Sequence, residues 1–323
     1  MKRYSIFFFF LFTTISCKQV DNPKVDFLKW AQKGAITENI KCKLDPSQSY
    51  CLFLPANYDI SKNYPTIYAF DPHGKGRIPV VLLKGIAEKL GYIVIGSNNS
   101  KNGLRTEEIN TIVNALFADS QQKLAIDLGR IYLLGFSGGA RIACMTAQRV
   151  SGINGVIACS AGFQPTKNPL GFRFIGIAGT QDMNFFEMRQ LNSFMDSVGI
   201  QNQFIVFKGK HEWPKESTLS EAVTMLEIYA MPNPPLNRNF AEEYLSKNLI
   251  RIQQLKENNN SDSLTLSYSI AKRTYQMLAG LVNVESLKAT IDELIKQPEL
   301  QKYFKEKASL ELFESKKQRE YAK

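Results

Sequence analysis

Histidine is scarce in this chain: 323 residues contain only His73 and His211. The five cysteines are scattered. Neither residue type shows the spacing of a metal site, so no metal is expected. No glycine-rich phosphate loop is present, and no cofactor is expected either. No apolar run approaches the roughly 20 residues that a bilayer-spanning helix needs. Charge of one sign does not gather anywhere. The formal net charge is +10, yet 25 basic residues face 18 acidic ones up to Pro234, and 15 face 12 beyond it. Without a basic block, binding to nucleic acid is not expected; a basic surface suits solubility or contact with anionic lipid.

What is present begins at the N-terminus. Lys2 and Arg3 precede an apolar stretch from Ile6 to Ile15, the n-region and h-region of a secretory signal. It ends in Thr14-Ile15-Ser16-Cys17, which resembles a bacterial lipobox with Thr14 in place of the commoner Leu. That resemblance implies removal of the signal before Cys17, lipidation of Cys17, and a protein tethered to a membrane of the bacterial envelope, in the periplasm or at the cell surface. Residues 1–17 are then signal, and 18–39 a tether and N-terminal segment. Export permits disulfides. Cys42 and Cys51 flank Asp45-Pro46-Ser47, which is turn chemistry, and a hairpin with Pro46 and Ser47 at its tip sets the two cysteines opposite each other. A Cys42–Cys51 disulfide is expected. Cys144 and Cys159 lie in apolar surroundings and read as small buried hydrophobes.

From residue 50 onward, short apolar runs alternate with helical patterns. The runs are 66–70, 92–97, 130–135, 155–158, 174–178 and 203–207, and the helical stretches are 79–90, 106–124, 138–149, 185–198 and 214–231. Runs so short and so continuously apolar are strands covered on both faces, so the pattern predicts an α/β fold with a mostly parallel sheet. The hairpin at 41–54 supplies antiparallel edge strands. The Pro-rich segment 233–239 reads as a linker closing a domain over 40–232. Residues 240–323 carry no strand-like run; they are rich in Leu, Lys, Glu, Gln and Ala, and read as helices at 239–257, 261–281, 284–296 and 298–321. No internal repeat connects them, and the sequence names no partner for this helical tail.

The chemistry centres on Ser137. An apolar strand runs into Gly135-Phe136-Ser137-Gly138-Gly139, and a helical pattern follows. This is the Gly-x-Ser-x-Gly elbow in strand–turn–helix context. A serine hydroxyl needs a base to become a nucleophile. In the order Ser, acid, His, only His211 follows the serine; it sits after the last apolar run, in Gly-Lys-His-Glu-Trp-Pro. The acid belongs in the loop after the preceding strand, where Gly179-Thr180-Gln181-Asp182 offers Asp182; Glu212, beside the histidine, is the alternative. His73 precedes the serine and is expected to be structural, within Asp71-Pro72-His73-Gly74-Lys75. That loop and the elbow are expected to supply oxyanion donors: the backbone N–H of Gly138, and that of Gly74 or Lys75. Asp71, ahead of a proline, reads as a turn residue.

His-Gly after the 66–70 strand, Gly-Phe-Ser-Gly-Gly, Gly-Thr-Gln-Asp and Gly-Lys-His-Glu-Trp-Pro together resemble exported α/β-hydrolases related to polyhydroxybutyrate-depolymerase-like and dienelactone-hydrolase-like esterases. The resemblance covers roughly residues 40–232. It implies Ser137, Asp182 and His211 as a triad, and a small-molecule or carbohydrate-linked ester as substrate. Two other functions stay open on the same residues: a serine peptidase, and an inactive hydrolase-fold binding lipoprotein.

Overall fold

The computed structural model describes residues 23–29, 31–165, 170–230, 238–258 and 260–321. The signal of residues 1–17 with Cys17, the first part of the tether, and residues 233–237 of the linker lie outside the described residues. Among the described residues, no helix is long and apolar enough to cross a membrane.

Eight strands form one sheet: β1 (Ile36–Lys41), β2 (Ser49–Phe53), β3 (Tyr64–Phe70), β4 (Ile93–Ser97), β5 (Ile126–Phe136), β6 (Ile153–Cys159), β7 (Arg173–Gly179) and β8 (Asn202–Phe207). Their order is β1-β2-β4-β3-β5-β6-β7-β8. Strands β3 to β8 run parallel, while β2 is antiparallel to both β1 and β4. The crossover between β3 and β4 reverses the strand order, and in such sheets sites form beyond the carboxyl ends of the strands.

Side-chain alternation divides the interior in two. Tyr68, Phe70, Leu133, Phe174 and Ala178 point into one apolar layer. Their neighbours Ile67, Ala69, Leu134, Ile175 and Ile177 point into the other. The first layer is covered by α3 (Thr106–Lys123), α4 (Gly138–Arg149) and α5 (Phe185–Ser197), with the short α1 (Pro23–Leu28) at its margin. The second is covered by α2 (Arg77–Leu90) and α6 (Glu216–Ala230). Both sheet faces are dry, which is why the strands read as unbroken apolar runs. Each buried Leu, Ile or Phe stabilises the sheet by about 1.5–3 kcal/mol relative to exposure. Gly91 ends α2 in the left-handed conformation, with φ of 73° and its N–H on the Ala87 carbonyl.

The tail forms α7 (Arg238–Glu257), α8 (Ser261–Leu278), α9 (Glu285–Ile295) and α10 (Pro298–Tyr321). Asn260 caps α8; its side chain accepts the Ser263 N–H. Ala241, Tyr244, Leu245, Ile270, Ala271 and Leu278 continue the apolar layer of α2 and α6 outward. The tail is therefore a third layer on that face. A charged knot pins it: Glu221 of α6 pairs with Arg273 of α8 and, at 3.2 Å, with Arg251 of α7. Burial works to raise the Glu221 pKa, but the two guanidiniums outweigh it and hold the carboxyl below its ordinary value.

The hairpin corrects one expectation. Cys42 and Cys51 are both free and buried. Lys41 pairs with Ser49, and the Cys42 N–H bonds the Gln48 carbonyl at 3.0 Å, so the loop spans five residues and Cys42 faces Gln48 rather than Cys51. Parity then separates the thiols: Cys42 enters the first apolar layer and Cys51 the second. A sheet lies between them, and a disulfide needs Cβ atoms within about 4.5 Å. Burial pushes the two thiols up, to about 11 for Cys42 and about 12 for Cys51.

Candidate active site

Ser137 sits between the end of β5 and the start of α4, with φ of 52° and ψ of −121°. A non-glycine residue with positive φ is strained, and such strain persists only where its surroundings enforce it. Here the Ser137 N–H is held by the Cys159 carbonyl at 2.8 Å, and the Ser137 carbonyl accepts from Ala140 and Arg141 at 3.0 and 3.2 Å. The flanking glycines make the turn possible. A Cβ on Gly135 would run into the Gly139 carbonyl, and one on Gly139 into the Phe70 carbonyl at the end of β3. Backbone meets backbone at both places, so no side chain can yield.

Two loops bring the other groups to the hydroxyl. The loop after β7 carries Asp182 and the loop after β8 carries His211. They are joined to each other by Thr180 N–H on the Phe207 carbonyl and Gln181 N–H on the Gly209 carbonyl, both at 2.9 Å. His211 Nδ1 lies 2.8 Å from Asp182 Oδ1, and Nε2 lies 2.9 Å from Ser137 Oγ. A carboxylate can only accept, so Nδ1 carries the proton of the neutral ring and Nε2 is left to accept from the serine hydroxyl. Asp182 is buried, and the same Oδ1 also accepts the Asn184 N–H at 2.8 Å. Asn184 is itself fixed by the Ser160 carbonyl at 2.8 Å. The alternative acid, Glu212, is exposed, and its Oε1 accepts the Lys210 N–H at 3.1 Å.

Sequence reading missed what holds this constellation. Asp71, expected to be only a turn residue, is 1% exposed and gathers three N–H donors. Its Oδ1 accepts from the His73 and Lys75 amides at 2.8 and 3.2 Å, and its Oδ2 from Trp213 Nε1 at 2.9 Å. The Trp213 ring packs against Phe136, with centroids 5.3 Å apart, and Phe136 packs against His211 at 4.9 Å. One buried carboxylate thus ties the loop after β3 to the loop carrying the histidine. Tryptophan two residues after His211 was visible in the sequence, but nothing there indicated its partner 142 positions earlier.

The oxyanion donors come out differently from expectation. Gly138 opens α4, where an N–H has no acceptor within the helix, and it has no other partner among the described residues. Gly74 and Lys75 are not free: the Gly74 N–H is turned onto the Asp71 carbonyl at 3.3 Å and the Lys75 N–H onto Asp71 Oδ1 at 3.2 Å. The tight turn that Asp71 imposes, with Gly74 at φ of 70°, consumes both amides. His73 lies in this loop with its side chain mostly exposed, bridging backbone to backbone with Lys101. Asn102, which no motif singled out, donates its N–H to the Pro72 carbonyl at 2.9 Å and lays its carboxamide over Gly138, in the space a Cβ there would take.

Among the described residues, no group of three or more His, Cys, Asp or Glu is arranged to hold a metal ion. What the arrangement offers chemically is a hydroxyl, a base within hydrogen-bond reach of it, an acid orienting that base, and an unengaged amide beside the hydroxyl.

No protein-family model matches this chain, and no curated protein sequence does. Solved structures do. FphF, a fluorophosphonate-binding serine hydrolase of Staphylococcus aureus, superposes with a TM-score of 0.50 over 60% of this chain and 99% of its own, at 12% identity. S-formylglutathione hydrolase FrmB from Staphylococcus aureus gives 0.49 over 61% of this chain and 98% of its own, also at 12% identity. A ferulic acid esterase gives 0.48 over 59% of this chain and 97% of its own, at 18% identity. The strand order, the elbow after β5 and the first of these superpositions identify the fold as that of the α/β-hydrolases.

Proposed function

We propose that this chain is a serine hydrolase cleaving carboxylic esters through an acyl-enzyme on Ser137. The observation that carries the reading is the continuous relay from Asp182 Oδ1 through His211 to Ser137 Oγ, with both contacts under 3 Å. In the first half-reaction, Ser137 Oγ attacks the ester carbonyl while its proton passes to His211 Nε2. The tetrahedral intermediate then collapses: the carbon–alkoxide bond breaks, and His211 returns the proton to the departing alcohol. In the second, water gives a proton to His211 and its oxygen attacks the acyl carbon; the bond to Ser137 Oγ breaks as His211 returns that proton to Oγ, and the acid leaves. Asp182 keeps the ring in its productive tautomer and stabilises the imidazolium. Gly138 N–H faces the developing oxyanion from the helix start.

The finer reading, an exported esterase related to the polyhydroxybutyrate-depolymerase-like and dienelactone-hydrolase-like group acting on a small-molecule or carbohydrate-linked ester, rests on the four motifs of the sequence. Attachment to the bacterial envelope rests on Thr14-Ile15-Ser16-Cys17. Turnover of p-nitrophenyl acyl esters against peptidyl p-nitroanilides tests the class: ester cleavage alone is expected, and faster anilide cleavage would make the protein a peptidase. Incorporation of labelled palmitate in an expressing bacterium is expected to vanish in Cys17→Ala; unchanged incorporation would refute the anchor.

A further inference from the structure

We propose that the side-chain amide of Asn102 is an oxyanion donor of this site, completing with Gly138 N–H the pair that the Gly74 and Lys75 amides do not supply. The inference rests on the hydrolase reading above. It starts from a shortage. An oxyanion site needs donors already aimed at the forming charge, and the Gly74 and Lys75 amides are spent on Asp71. The free Gly138 N–H is one donor. A second is offered by the side chain that borders the residue after the nucleophile.

Asn102 borders it. A Cβ built on Gly138 would collide with the Asn102 carboxamide oxygen and would stand 3.0 Å from Cγ and 3.7 Å from Nδ2, and these are the three heavy atoms nearest to it. The carboxamide therefore occupies the place where a side chain after the nucleophile would otherwise be. Neither end of it has a hydrogen-bond partner among the described residues. A half-turn of the terminal amide exchanges its oxygen and nitrogen, so the end that faces the site is set by what needs to be bonded there. A negative oxygen on the acyl carbon selects the N–H end.

The backbone under Asn102 is fixed rather than loose. Asn102 N–H is held by the Pro72 carbonyl at 2.9 Å, and Lys101 bridges to His73. Ser100 Oγ donates to the Asp71 carbonyl at 3.0 Å, and Ser100 N–H is held by Ser97 Oγ at 3.1 Å. With the backbone held, only the terminal amide has to orient when charge develops. The same packing gives Gly138 a second reason to be glycine, since any Cβ there evicts the carboxamide.

The test uses the full chain. Asn102 is exposed, so Asn102→Ala leaves the fold intact. On p-nitrophenyl acetate its kcat is expected to fall by about 10²-fold or more, the scale of one lost oxyanion donor, with KM changed little. Its affinity for a trifluoromethyl ketone, whose adduct carries an oxyanion, is expected to fall in parallel. Asn102→Asp, which places a negative charge at the oxyanion, is expected to be slower than the alanine variant. Gly138→Ala is expected to lose kcat as well. A kcat for Asn102→Ala within about 3-fold of wild type overturns this inference and leaves the triad untouched. Failure of the wild-type chain to react with a fluorophosphonate overturns the hydrolase reading, and this inference with it.

Discussion

Asp71 and Trp213 can be tested as a pair, because the structure gives them one bond that no third residue shares. Among the described residues, Asp71 Oδ2 accepts only from Trp213 Nε1, at 2.9 Å, while Oδ1 serves the two backbone amides. In Asp71→Asn, the remaining carbonyl oxygen can keep the His73 and Lys75 amides. The new NH2 must then face the indole N–H, donor against donor. A buried charge-assisted bond is lost and a donor is stranded, for about 2–3 kcal/mol of stability. Trp213→Phe keeps most of the ring packing on Phe136 but leaves a buried carboxylate oxygen unpaired, for about 1–3 kcal/mol. In the double variant the clash of donors is gone, so the losses are expected to overlap, with a coupling of about 1–2 kcal/mol. Urea unfolding followed by far-UV circular dichroism measures this without relying on tryptophan emission, since the chain has only two tryptophans. Turnover is expected to be coupled in the same sense, because Trp213 reaches His211 through Phe136. Additivity within about 0.5 kcal/mol would refute the claim that one carboxylate clamps both loops.

Other outcomes follow from the packing. Glu221→Gln leaves Arg273, 5% exposed, without its counter-charge, and is expected to cost about 3–5 kcal/mol at neutral pH. Because the folded carboxyl titrates below its ordinary value of 4.5, its contribution is whole above that value and is lost as pH falls through the depressed one. Urea midpoints of wild type and variant should therefore converge in acid, and a constant difference would contradict the ion-pair account. Cys42, Cys51, Cys144 and Cys159 are all expected to react with a thiol reagent after unfolding without reductant, and slowly before it, since burial raises every one of their pKa values. A disulfide between Cys42 and Cys51 in peptide mapping would contradict the observed hairpin register. Gly139→Ala presses a methyl group on the Phe70 carbonyl and is expected to lower both stability and activity, read by thermal melting and ester turnover.

The sheet was legible because its strands are buried on both faces. Dry strands leave continuous apolar runs, and the run at 174–178 extends by one residue at each end to become β7. The juxtaposition of Ser137, His211 and Asp182 was legible because only one histidine follows the serine, and because the elbow needs glycine at Gly135 and Gly139 for a backbone reason. The hairpin misled because Asp45-Pro46-Ser47 marks a turn but not its loop length, and a change in register moves a cysteine to the other face. Lys75 misled for a related cause: the amide competition is decided by Asp71, whose buried carboxylate outbids any weaker acceptor nearby. Asp71–Trp213, Glu221–Arg273 and Asn102–Gly138 were invisible because each joins residues far apart in the chain, and no motif links one member to the other.

Activation by His211 and Asp182 would make the Ser137 hydroxyl the nucleophile of the site. Fluorophosphonate labelling of the purified chain, followed by mass mapping of the modified peptide, tests it most directly. One adduct is expected on Ser137, none in Ser137→Ala, and labelling slowed by about 10⁴-fold or more in His211→Ala. An adduct on another residue, or undiminished labelling of Ser137→Ala, would contradict it.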